Sequence, residues 1–124
     1  MICYNKEDIE ELKKHDGKYF MPNALFDTMQ YKLIRLEVKW AYVACLNVLL
    51  DTPSYDKEGN AFIKDDNPKI IELLKDLANK KVDQEKINGY VIEMEDNIFE
   101  GPGFLCATKH IIKRKCLSYF WQRR

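Results

Sequence analysis

Few residues in this chain have types and spacings that suggest chemistry. Cys106, His110 and Cys116 fall within eleven residues, with Cys3 as a distant fourth sulfur. Structural zinc sites use tetrahedral Cys/His sets, usually built from closely spaced pairs. The C-x₃-H-x₅-C spacing lacks such a clamp, so ordinary tail residues and no metal are expected. His15-Asp16 is a His beside a carboxylate, but a catalytic dyad also needs a third group and a pocket. At a helix end, the pair reads as capping. Gly101-Pro102-Gly103 has a proline where a phosphate-binding loop would present backbone N–H groups. No cofactor is implied, and a non-enzyme is expected.

The charge pattern is more informative. All 20 acidic residues lie at or before Glu100, against 14 Lys and Arg, so that segment is six charges negative. Lys109, Lys113, Arg114, Lys115, Arg123 and Arg124 restore neutrality. An acidic body with a basic tail suggests contact with nucleic acid or an acidic partner. A tail folded back on the body is the competing expectation. Tyr119-Phe120-Trp121 lies among these cations, a composition that can stack bases and follow a strand. The same composition suits a basic amphipathic helix, with Ile112, Cys116, Tyr119 and Phe120 on its apolar face.

The element that must hold all this together runs from Leu33 to Leu50. It carries no charge between Lys39 and Asp51. A helix apolar on nearly every face is buried on all sides. The uncharged run is too short for a membrane span, so it reads as the core helix of one small domain. Four cysteines without a C-x-x-C pair, one inside this helix, and no N-terminal signal pattern favour free thiols in a reducing, cytoplasmic setting.

Around the core helix, local signals place the other elements. Asn5 caps a first helix with acidic Glu7 and Asp8, an apolar stripe of Ile9 and Leu12, and a stop at Asp16-Gly17. Tyr4 and Ile9 are spaced as a hydrophobic staple. Lys18 to Met21 reads as a short strand ended by Pro22, expected to pair with Ala61-Phe62-Ile63. Ala24-Leu25-Phe26 makes an apolar turn or short helix, and residues 51–60 read as turn chemistry.

Asn67-Pro68 opens a helix with Ile70, Ile71, Leu74 and Leu77 at helical spacing. After Asn79-Lys80-Lys81, Asp83 opens another with Ile87, Val91, Met94 and Ile98 on one face. Gly89 inside it costs about 1 kcal/mol relative to Ala. Two such helices joined by a short turn form a helix-turn-helix. Phe104 to Thr108 then reads as a wing strand. Residues 1–17 are thus an N-terminal helix, 18–100 the body, and 101–124 a basic wing and tail.

Three stretches carry a family likeness. Tyr19-Phe20-Met21-Pro22-Asn23-Ala24-Leu25-Phe26 resembles an aromatic-x-Pro-x-x-Leu-Phe entry. Leu36-Glu37-Val38-Lys39-Trp40-Ala41-Tyr42 is similar to a Leu-x-x-Glu-Ala-Lys-x-x-Tyr core helix, and residues 56–63 to an acidic-Gly turn before a strand. These resemble the N-terminal winged-helix domain of plasmid and phage replication initiators of the initiator-protein-A type. The resemblance implies a mainly α (α+β) fold with a three-helix core, a short antiparallel sheet and added terminal segments. It also implies a mobile-element origin and contact with DNA.

On that expectation, the helix-turn-helix offers Lys80, Lys81, Gln84, Lys86 and Asn88 to nucleic acid. The tail offers Lys109, Lys113, Arg114, Lys115, Arg123 and Arg124. The helix from residue 83 to 99 departs from a DNA reader, setting five acidic residues against Lys86 alone, and phosphates are normally met by cations. The alternative expectation is a protein-binding inhibitor or regulator, for example of an anti-CRISPR type. It would set Glu85, Glu93, Glu95 and Asp96 against a basic surface on a nucleic-acid-processing machine.

Overall fold

The computed structural model describes residues 4–15, 17–27, 31–79, 81–94 and 112–113. In chain order these form α1 (Lys6–Leu12), α2 (Asn23–Asp27), α3 (Leu36–Asp51), β1 (Ser54–Tyr55), β2 (Ala61–Lys64), α4 (Pro68–Ala78), α5 (Gln84–Met94) and β3 (Ile112–Lys113). The architecture is mainly helical with a short antiparallel β1–β2 pair, an α+β, winged-helix-like layout. β3 joins β2 in parallel, giving the order β1-β2-β3. No helix among the described residues is long and apolar enough to cross a membrane.

α3 is the hub. From Val38 to Leu50 only Trp40 and Asn47 escape full burial, and α4, α5 and β2 all pack against it. The helix starts at Leu36, later than its apolar composition suggests, and Leu33 stays 98% exposed. Lys39 is buried with its Nζ 5.7 Å from the centre of the Phe26 ring, the aromatic face replacing part of the lost hydration. One apolar cluster contains Val43, Ala44, Leu46, Leu50, Ile70, Leu74, Ile87, Val91 and Met94, with Trp40 and Leu77 packed at its margin. Cys45 lies inside it, and burial raises its thiol pKa.

The local start signals hold. At α1, Asp8 N–H donates to Asn5 Oδ1 at 2.8 Å and Asn5 N–H to Asp8 Oδ2 at 3.0 Å, a full capping box. Tyr4 and Ile9 both enter the core. Helix α1 ends at Leu12, ahead of the Asp16-Gly17 signal. Lys69 N–H donates to Asn67 Oδ1 at 3.0 Å, with Pro68 in the first turn of α4. Asn79 ends α4 in the left-handed conformation at φ 51°, which Asn tolerates better than most residues.

The expected strand at 18–21 does not form, and β2 pairs elsewhere. Asn47 of α3 takes the strand partner's place at Phe20. Its Oδ1 accepts from Phe20 N–H and its Nδ2 donates to Phe20 O, both at 2.8 Å, with a further bond to Val43 O. A side-chain amide presents one acceptor and two donors, so it satisfies one residue of backbone as a strand would. β2 pairs instead with Ser54–Tyr55, inside the stretch read as pure turn. Asp56 Oδ1 accepts from Glu58 and Asn60 N–H, and Gly59 takes φ +83°. That turn brings β1 and β2 together with little loop-closure entropy. Ala61 N–H donates to Tyr4 O at 2.7 Å.

Replacing Asn47 by Ala should therefore cost about 1–3 kcal/mol, because two partly buried Phe20 backbone groups lose their partner. Thermal unfolding tests this, and a cost below about 0.5 kcal/mol would contradict it.

Tyr4 supplies a pH-dependent test. Burial pushes its phenol up to about 12, against the hydrogen bond to Tyr42 and with the Asp8 charge adding to the rise. The folded state then holds this proton over a range where the unfolded chain has released it. The associated stability is fully present below about pH 10 and is lost as pH climbs toward 12. The loss amounts to roughly 2–3 kcal/mol. A Tyr4→Phe variant should lose this step in denaturation measured across that window, and an unchanged alkaline profile would contradict the assignment.

Candidate nucleic-acid interface

Helix α5 follows the α4 turn, where the sequence reading expects a base-reading helix, and Asp83 Oδ1 caps it by accepting from Lys86 N–H at 2.9 Å. Two of its expected base readers are committed internally. Gln84 Nε2 donates to Asp65 O at 2.7 Å and to Asn88 Oδ1 at 2.9 Å. These bonds tie the first turn of α5 to the loop after β2, so the structure brings Gln84 and Asn88 together as a brace. Lys81 and Lys86 are exposed. Lys80 lies outside the described residues.

The far end of α5 also differs from a free acidic face. Glu93 is held by Arg35, the residue before α3, with Nη2–Oε1 at 2.5 Å and Nε–Oε2 at 3.2 Å. The bidentate fork is the favoured Arg–carboxylate geometry. The hydrogen bond to Glu93 and then its charge raise the Arg35 pKa, keeping the guanidinium charged. Arg35 Nη1 also lies 3.9 Å from Glu37 Oε2, and the Tyr90 hydroxyl donates to that same oxygen at 3.0 Å. Arg35, Glu37 and Tyr90 were missing from the sequence-derived site. Contact across 53 to 58 residues leaves no local signal. Between Arg35 and the start of α5 lies an open cleft of about 340 Å³, with Gly89 and Tyr90 on its wall. Glu85 is exposed at the same cleft, while Glu95 and Asp96 lie outside the described residues.

The sheet gives Lys113 of the basic segment a position. Lys64 is exposed, and its Cα is paired in register with that of Lys113 through the parallel β2–β3 ladder. Ile112–Lys113 was expected within a tail helix and is instead a strand. Two apolar β-branched residues, Ile111 and Ile112, precede Lys113 and suit a pleated surface as well as a helix. The remaining tail cations Lys109, Arg114, Lys115, Arg123 and Arg124, the 104–108 wing and the Cys106/His110/Cys116 set lie outside the described residues. Among the described residues, no group of His, Cys, Asp and Glu is arranged to hold a metal. His15 sits 5.7 Å from the Phe20 ring, and Asp16 is outside the described residues.

A helix-turn-helix braced at its second helix, with a short sheet whose adjacent strands β2 and β3 each carry a lysine, defines a small winged-helix-like body. No family model, no curated protein and no solved structure matches the chain.

Proposed function

We propose that this is a non-enzymatic, nucleic-acid-associated protein of a mobile genetic element, acting in replication initiation or its regulation. It meets the phosphate backbone along the β2–β3 edge and the basic segment beyond it. The observation that supports this most is the Lys64–Lys113 register, which sets two basic residues side by side on neighbouring strands. The motif resemblance at residues 19–26, 36–42 and 56–63 supports the mobile-element origin. Helix α5 contributes little base readout, because Gln84 and Asn88 bond within the protein. Binding is therefore dominated by phosphate contacts, which carry no sequence information.

The test is fluorescence anisotropy with short duplex and single-stranded DNA at two salt concentrations. Engaging three or four cations gives a log–log salt slope of roughly −3 to −4 on duplex. Absence of binding at low salt by folded protein would remove this reading. It would promote the alternative, a protein-binding inhibitor or regulator acting through α5, which the exposure of Glu85 and Ile92 on that helix favours.

A further inference from the structure

We propose that the outer face of α5, centred on Gly89, docks a helical protein segment that carries arginine or lysine around an apolar residue. This is independent of DNA contact at the sheet edge and deepens the alternative protein-binding reading.

Gly89 is the starting point. It is exposed in the middle of an eleven-residue helix, where glycine is less favourable than alanine. Among the described residues no packing accounts for it, since a β-carbon built there meets none of their atoms within 4 Å. Its φ is not positive, so the backbone places no demand for glycine either. What glycine supplies at such a position is close approach of another backbone.

The surroundings fit a particular partner. Ile92 lies three residues on, along the same helical row, and is 47% exposed. Leu36, next to the cleft residue Arg35, is 59% exposed. An apolar side chain three residues from a gap is the surface on which a second helix seats its own ridge. Charge selects the sign of that helix. Among the described residues, Asp83, Glu85 and Glu93 line the cleft and Glu37 is bonded to Tyr90, against Arg35 and Lys86 in the cleft and exposed Lys81 two residues before Asp83. Arg35 and Glu93 satisfy one another, so the excess is negative and centred on Asp83 and Glu85. Phosphate is repelled by such a surface, whereas a cationic amphipathic helix is attracted to it.

The experiment uses the full chain and a labelled helical peptide of leucine and arginine, with a leucine–glutamate peptide and an oligoarginine as comparators. The leucine–arginine peptide should bind best. Gly89→Leu should weaken that binding by about tenfold or more by filling the approach, and Glu85→Lys should weaken it through charge. Gly89→Ala should raise Tm by roughly 3–5 °C and still bind less well than the native chain. A gain in stability coupled to a loss of binding is the signature of a glycine kept for a partner. Failure to bind the leucine–arginine peptide, equal affinity for either comparator, or full binding by Gly89→Leu would each overturn the proposal. DNA anisotropy on the same samples reads the sheet edge separately, so the two surfaces fail independently.

Discussion

Replacing Leu74 by Ala should lower the unfolding free energy by about 2–5 kcal/mol, the largest stability effect expected of any single truncation discussed above. Leu74 is only 2% exposed on α4, one turn from fully buried Ile70. Both belong to the cluster built around α3. Helix α3, against which α4 packs, is buried without a break from Ala41 to Leu46 and again from Val48 to Leu50. Loss of the side chain removes transfer free energy and leaves a cavity that a well-anchored helix pair closes only partly. Asn67 and Pro68 fix one end of α4, and Asn79 fixes the other, so α4 has little freedom to shift inward. Denaturant titration should show a lower midpoint with an unchanged slope, the mark of altered stability in an intact two-state unit. A loss under about half a kcal/mol would mean that α4 does not seat on α3 in solution.

The parts of this fold readable from sequence are those decided within one or two turns of chain. Asn5 with Asp8 and Asn67 with Pro68 satisfy orphan helix N–H groups or need none, so residue type alone marks the helix starts. The central helix was legible because an uncharged stretch of that length has nowhere to sit except the interior. Ser54–Tyr55 was not. It is a two-residue strand bounded by Pro53 and the Asp56–Gly59 turn, too short to show an alternating pattern. Residues 18–21 have strand-like composition, but Asn47 satisfies Phe20 from 27 residues away. A side chain that substitutes for a strand leaves no periodicity.

The candidate site divides in the same way. The basic end of the chain is visible as charge, whereas the pairing of Ile112 and Lys113 with β2 is non-local. Gln84 and Asn88 have the residue types of base readers, yet Asp65 O claims the first and the first claims the second. Composition identifies hydrogen-bonding capacity and cannot show where it is used. The same holds for Glu93, whose charge belongs to an acidic face by composition and to the Arg35 pair by contact.

The largest functional effect is expected from replacing Lys113, Arg114 and Lys115 together by Ala. Each lost phosphate contact lowers the magnitude of the salt slope by about one, so the triple variant should nearly abolish a slope of roughly −3 to −4. The loss should be the same on every DNA sequence, because phosphate contacts position without specifying. Changing Gln84 and Asn88 together to Ala should instead reduce stability, by releasing the start of α5 from Asp65, and leave DNA affinity nearly unchanged. Anisotropy titrations of the native chain and these two variants on the same duplexes, each protein confirmed folded, compare the two surfaces directly. The account predicts a flattened salt slope in the Lys113/Arg114/Lys115 variant and native-like binding in the Gln84/Asn88 variant. Native-like binding by the first, with sequence-dependent loss in the second, would contradict it and return recognition to α5.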